Sequence, residues 1–284
     1  MRSTNQAGHD DHTLAQRLAR QLVSVTARDV GPDAAAKVAT CLFDLIGCVF
    51  EAADKPVSRQ ALAAVMTLAQ RHDGSAVLIG HGRHAAAAEA AFVNAVAGHG
   101  LVREDMHAGS VSHLGVAVLP ALLALANVAV AQGQRIDGRG LVAAAVVGYE
   151  VGARIGRALI TPELARVHRP TGITGPLAAA AAGARLLGLD AAQAASALAL
   201  AANATGGFNQ WGHSGGCEMY VHPGQAARSG VTAVLLARAG AWASPDALDG
   251  VAGLFASLQR GDAASAVRLF DGPPEILAVY HKPV

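Results

Sequence analysis

The apolar half of this sequence is built almost wholly from small side chains, and that limits how it can fold. Hydrophobic residues fill 52% of the 284 positions, but Phe, Trp and Tyr together fill only 4%. Without large rings to bridge gaps, a core of Ala, Leu, Val and Gly closes only where its elements approach closely. Ala is also the strongest helix former. Charged residues stand at 15%, well under the roughly 25% of an average soluble domain. There is ample apolar surface to bury, so disorder is excluded for most of the chain. The expectation is an all-α fold of about ten helices with little or no sheet.

Charge and composition narrow the partners. The formal net charge is +1, and no more than two basic residues stand together, which argues against nucleic acid. Lysine occurs only at Lys37, Lys55 and Lys282, which sets it aside as an interior catalytic residue. Cys41, Cys48 and Cys217 are odd in number and form no CxxC pair, so a reducing, cytoplasmic compartment is expected. The first twelve residues carry Asp10 and Asp11 and no apolar run, so no export leader is expected. The stretch Leu114 to Ala131 is uncharged and long enough to raise the question of a membrane span. It holds Pro120 and Asn127 and leans on Ala, so it reads as a buried helix and no membrane partner is expected.

Along the chain, residues 1–12 read as a flexible N-terminus. Thr13 can cap a helix to about residue 27, with Leu14, Leu18 and Leu22 four apart. Gly31-Pro32-Asp33 restarts the chain into a helix carrying Val38, Leu42, Leu45, Ile46 and Val49 on one stripe. A third helix covers about 59–70, and the run from Ser75 to Ile79 reads as a strand or an extended link. Further helices are expected at about 85–98, 115–131, 138–159, 175–187, 191–206, 223–239 and 246–256. No βαβ alternation, GxGxxG or Walker loop is present, nor any repeat at a solenoid period.

Three polar islands interrupt this apolar pattern. The first, Gly98 to His113, holds His99, Arg103, Glu104, Asp105, His107 and His113. It reads as a solvated capping loop, as a metal site, or as a pocket for an anionic substrate with His as acid or base. The His spacings fit no single helix face and no HExxH pattern, so no metal and no cofactor are expected. The second island, His168 to Gly175, is a Thr/Gly-rich turn entering a helix. It suits an ordinary N-cap, or a carboxylate held by His168, Arg169 and the Thr171 turn. The third, Asn209 to Gly224, contains Trp211, His213, Cys217, Glu218, Tyr220 and His222. Trp211 and Tyr220 suit core anchors, while His213, Glu218 and His222 suit the same cavity as the other islands.

Taken in order, these residues resemble the MmgE/PrpD family, which includes 2-methylcitrate dehydratase, cis-aconitate decarboxylase and iminodisuccinate epimerase. The resemblance rests on Phe43-Asp-Leu-Ile-Gly-Cys48, on Ala91-Phe-Val-Asn-Ala95 followed by His99, and on Asp105 to His113 with Pro120. It rests also on Gly148-Tyr-Glu-Val-Gly-Ala-Arg154, Leu186-Leu-Gly-Leu-Asp190, His222-Pro-Gly-Gln-Ala-Ala227 and Asp246-Ala-Leu-Asp-Gly250. It implies a large helical domain over 13–260 and a C-terminal segment, 261–284, leading toward a smaller lid domain that this sequence lacks. Lys282-Pro283 resembles the stretch where that lid begins. The family's trailing His falls on His113 and the last of its paired acids on Asp105. The first acid falls on Val102, a departure. The family's next His falls on His168, or on Arg169 after a slip of one residue, and its Lys falls on Met219.

The resemblance implies a 2-methylcitrate dehydratase-like lyase of a small carboxylic acid, working by proton transfer next to a carboxylate. The catalytic candidates are Asp105, His113 and His168. The substrate-binding candidates are His99, Arg103, His107, Arg169, Thr171, Glu218 and His222. The expected partners are a small-molecule carboxylate, a second copy in a homodimer, and a separate lid-domain chain. Met219 in place of Lys implies a substrate with fewer carboxylates than methylcitrate. The alternatives are an epimerase or isomerase of a small dicarboxylate using His113 and His168, and a lid-less subunit that is either non-catalytic or carries half of a site.

Overall fold

A computed structural model describes residues 12–68 and 74–282. Thr13 opens α1 (Leu14–Ser24) with a capping box: its hydroxyl accepts from the Gln16 N–H while the Gln16 side chain accepts from the Thr13 N–H. Leu14, Leu18 and Leu22 are fully buried, as their spacing requires. Pro32 at the first helical position starts α2 (Pro32–Ala52), and α3 (Pro56–Leu68) follows. Residues 1–11 of the expected flexible N-terminus, and the end of the expected third helix, lie outside the described residues.

The run at Ser75 contains a strand, β1 (Ala76–Leu78), paired antiparallel with β2 (Arg83–Ala85). Asn94 on α4 (Ala87–Gly98) grips it from both sides. The Ile79 N–H donates to Asn94 Oδ1 at 2.9 Å, and Asn94 Nδ2 donates to the Val77 carbonyl at 2.9 Å. After β3 (Met106–His107) come α5 (Gly115–Ala131), α6 (Gly138–Leu159), α7 (Pro162–Val167) and α8 (Pro170–Leu186). Then follow α9 (Ala191–Ala202), α10 (Trp211–Ser214), α11 (Glu218–Arg238) and α12 (Leu254–Ser257), and β4 (Val279–Tyr280) pairs with β3. The fold is mostly α, with two small antiparallel sheets among the described residues.

The core is centred on α8, buried from Pro170 to Ala184 and packed against α5, α6, α9 and α11. Small residues make this possible. A β-carbon on Gly148 of α6 would lie 2.8 Å from Ala182 Cβ and 2.9 Å from the Ala178 carbonyl oxygen of α8. The helices α5 and α8, apolar nearly all round, bury that surface within one chain, so their composition carries no information about a dimer. No helix among the described residues is long and apolar enough to cross a membrane.

Two helices begin earlier than their sequence suggests, and proline is the reason. The expected starts at 175 and 223 rest on Pro176 and Pro223, but both prolines lie inside helices that start at Pro170 and Glu218. Pro176 has no N–H to offer the Gly172 carbonyl. The N–H of Gly206, from the loop after α9, donates to that carbonyl instead, at 3.1 Å. The expected helix at 246–256 is a series of turns ending in the short α12.

The C-terminal segment folds back on this body. Leu269, Ile276 and Val279 are buried. The fully buried carboxylate of Glu150 on α6 accepts from the backbone N–H groups of Phe270 at 2.6 Å and Glu275 at 2.9 Å. Arg154 and Arg157 of the same helix pair with Glu275 at 3.0 Å.

Candidate active site

At the C-terminus of α4 the chain caps with His99, passes through Val102 at φ 55 and bends at Glu104 before β3. Glu104 and Asp105 enter two environments. Glu104 faces two histidines: His99 Nδ1 donates to its Oε1, and His113 Nδ1 lies 3.0 Å from the same oxygen. The two imidazole rings meet edge to face with centroids 4.9 Å apart. Arg169, preceding α8, donates from Nη2 to His99 Nε2 at 2.9 Å. His99 is 0% exposed, Glu104 1% and His113 4%.

The start of α8 holds this loop. The His113 N–H donates to Thr171 Oγ1 at 3.0 Å, and the Thr174 hydroxyl donates to Ser112 Oγ at 3.0 Å. Val111, like Val102, sits in the left-handed region, at φ 52. Two β-branched residues in that region bracket the acid-and-histidine loop, a strain the surrounding contacts must sustain.

The electrostatics divide the same way. Burial alone would raise the Glu104 carboxyl, but the charges and hydrogen bonds of His99 and His113 outweigh it and hold Glu104 well below the usual range. Burial pushes His99 down, partly countered by Glu104. A neutral His99 fits its bonds, since Nε2 accepts from Arg169 and Nδ1 donates to Glu104. On the other side, burial pushes Asp105 up to about 6 although the Tyr149 hydroxyl donates to it at 2.7 Å.

Arg169 links this cluster to a cavity of about 450 Å³ lined by Gly172, Gly206, Gly207, Phe208, Glu218 and His222, among others. Its N–H donates to the Gly207 carbonyl at 3.0 Å, and its guanidinium lies 5.8 Å from the Trp211 ring. Burial lowers His222, the Arg169 charge lowers it further, and Glu218 acts in the opposite sense. Tyr220, one turn into α11, sets its ring 6.3 Å from that of His99.

Several expected site residues lie elsewhere. Asp105 does not orient His113; Glu104, its neighbour, does. His168 stacks near Phe208, centroids 5.6 Å apart, and lines a different cavity with Glu163 and Arg260. The one-residue slip is the geometry found: Arg169 reaches the cluster. His107 is turned inward with both nitrogens engaged, Nδ1 with Ser110 Oγ at 2.8 Å and Nε2 with Glu275 Oε2 at 2.9 Å. Arg103 is exposed and pairs with Glu51 at 2.8 Å. Thr171 spends its hydroxyl on the His113 backbone. Lysine, set aside from the sequence, returns through Lys282: β4 brings it to Val102, whose carbonyl accepts from Nζ. Burial lowers its ammonium, while the charge of Glu104 acts to raise it.

His99, Glu104 and His113 offer donor atoms within 4.8 Å of one another, a spread that a small cation could close. Arg169 already occupies the second His99 nitrogen, and the charges of Arg169 and Lys282 both act on Glu104 from beyond contact distance. The arrangement suits proton transfer. Glu104 Oε1 lies 3.0 Å from His113 Nδ1, which leaves Nε2 as the nitrogen free to exchange protons. Arg169 at the cavity rim and His222 in its wall have the chemistry to meet a carboxylate.

Residues 16–266 match the family model described as the MmgE/PrpD N-terminal domain. A cis-aconitate decarboxylase of Aspergillus terreus is 31% identical over 213 residues, 75% of this chain and 43% of that protein. The cis-aconitate decarboxylase-like protein oryM of Aspergillus oryzae (strain ATCC 42149 / RIB 40) is 32% identical over 216 residues, 75% of this chain and 44% of that protein. A cis-aconitate decarboxylase of Homo sapiens is 33% identical over 165 residues, 58% of this chain and 34% of that protein. The chain thus matches under half the length of these relatives. The match over residues 16–266, together with the histidine and acid loop it contains, places this chain in the MmgE/PrpD family through its N-terminal helical domain.

Proposed function

We propose that this chain provides the acid–base centre of a lyase acting on a small carboxylic acid. The observation that carries the reading is the buried Glu104–His113 pair, joined through His99 to Arg169 at the edge of a cavity. The substrate carboxylate lies against Arg169 and His222. In a decarboxylation, the bond between the carboxyl carbon and its neighbour breaks, carbon dioxide leaves, and His113 delivers a proton to the carbon left with the electron pair. In a dehydration, His113 removes the proton and hydroxide leaves from the adjacent carbon. The names of the relatives favour the first over a 2-methylcitrate dehydratase-like reaction.

The cavity also bears on the substrate. Glu218 is a carboxylate in its lining, Arg169 at the rim is the guanidinium beside it, and Met219 stands where the family pattern has Lys. A mono- or dicarboxylate with an apolar part fits this better than a tricarboxylate, whose extra charges would be left unmatched. The epimerase alternative draws no support from His168, which faces a separate cavity.

The test is product formation by NMR from cis-aconitate, 2-methylcitrate and smaller unsaturated or hydroxy acids. It is run with this chain alone and with a separately expressed C-terminal half of a relative. Turnover that falls by about 10²–10⁴ in His113→Ala supports the reading. Turnover unchanged in that variant, or none of these acids converted in either arm, overturns it.

A further inference from the structure

Away from the histidine cluster, the described residues hold a second concentration of positive charge. A cavity of about 270 Å³ between α1 and the segment after α12 is lined by His12, Arg17, Arg20, Gln21 and Arg268. None of these residues belongs to the His113 cluster or to its cavity. Arg20 and Arg268 are exposed and Arg17 is half-buried, so three guanidinium groups converge on one small space open to solvent and to an anion. Among the described residues, none of the three is ion-paired with a carboxylate. Asp249 is nearby in the fold, but its Oδ2 accepts from the Leu14 N–H at 2.7 Å, and it forms no ion pair with Arg17.

Arg17 sharpens the point. Its Nε and Nη2 have no hydrogen-bond partner among the described residues and are closed to solvent, so an anion in the cavity meets them once the side chain turns toward it. Buried donors on a charged group are expensive to leave unmatched. The other walls are fixed in place. Arg268 is anchored by Nη1, which donates to the Ser265 and Val267 carbonyls at 2.6 and 2.9 Å. Gln21 Oε1 accepts from the Leu269 N–H at 3.4 Å, tying α1 to the segment that carries Arg268.

We infer that this cavity is a binding site for a small oxyanion, seated between Arg17, Arg20 and Arg268. A guanidinium fork matches both phosphate and carboxylate oxygens. The volume admits inorganic phosphate or a compact polycarboxylate. The inference stands apart from the proposed lyase activity, because it uses other residues and another cavity.

Calorimetric titration of the full chain at low salt tests it, with inorganic phosphate in one arm and citrate in the other. Saturable binding of either anion is expected, weakened about tenfold or more in Arg17→Gln, which removes a charge-assisted contact. Arg20→Gln, at an exposed position, gives the same direction of change should the first variant fail to fold. Arg169→Ala leaves this binding as it was. Which anion binds more tightly tells a phosphoryl from a carboxylate ligand. No saturable binding of either overturns the inference, as does binding that survives both α1 variants or disappears in Arg169→Ala.

Discussion

Oε1 of Glu104 lies 3.0 Å from Nδ1 of His113, while the adjacent Asp105 turns away to the hydroxyl of Tyr149 at 2.7 Å. The two acids are neighbours in sequence and opposites in role. Glu104→Gln should lower turnover by about 10²–10⁴ and displace the pH–rate profile, because the amide cannot hold His113 as the carboxylate does. Asp105→Asn should change turnover far less. Steady-state rates across pH for the two variants decide it, and equal losses would assign both acids to the same task.

Arg169 and His168 invite a similar comparison. Arg169 donates to His99 at 2.9 Å and sits at the cavity edge, whereas His168 faces other residues. Arg169→Ala should raise KM for a carboxylate by about tenfold or more, the loss of a charge-assisted contact. His168→Ala should leave kcat and KM within about twofold. A larger effect from His168 would return it to the site.

The buried Asp105 predicts a pH dependence of stability. Its pKa in the folded chain is pushed up to about 6 from an ordinary 3.8, so the folded state holds the proton more tightly. The penalty of ionising it in place is absent below pH 3.8, grows between 3.8 and 6, and is full above 6. Asp105→Asn removes that penalty. Relative to the parent, the variant should gain up to about 3 kcal/mol above pH 6, and the gain should vanish toward pH 4. Denaturant titrations at several pH values measure the difference, and a gain that grows as pH falls would contradict the assignment.

Val102 stands where the family pattern places an acid, and its φ of 55 is costly for a β-branched residue. An Asn or Asp tolerates this region better, because its short polar side chain can bond locally. Val102→Asn should therefore stabilise the fold by about 1 kcal/mol, or about 2–4 °C in Tm for a chain of this size. Differential scanning calorimetry checks the sign.

Much of the fold is legible in the sequence, because helix periodicity and small residues act over short distances. Leu14, Leu18 and Leu22 fall on one buried face, and Thr13 caps the helix before them. What is illegible is the choice between neighbours. Glu104 against Asp105, and Arg169 against His168, differ by one residue, and which of each pair faces the cluster is set by packing against α6 and α8. Lys282 is hidden for another reason: its place beside Val102 depends on pairing between strands far apart in sequence. The helix starts at Pro170 and Glu218 were obscured by prolines within the helices, one of them accommodated by a hydrogen bond from a distant loop.

The buried carboxylate of Glu150 limits where this protein can be cut. The family match stops at residue 266, yet Glu150, besides its pairing with Arg154, takes hydrogen bonds from the backbone of Phe270 and Glu275, and Glu275 in turn holds His107 at the end of the acid-and-histidine loop. A shorter version ending at the matched boundary would leave that buried carboxylate with Arg154 alone and release the loop's inner anchor. The last turns of the chain are thus a clasp on the helical domain, and an engineer choosing endpoints should keep them even though they fall outside the matched family region.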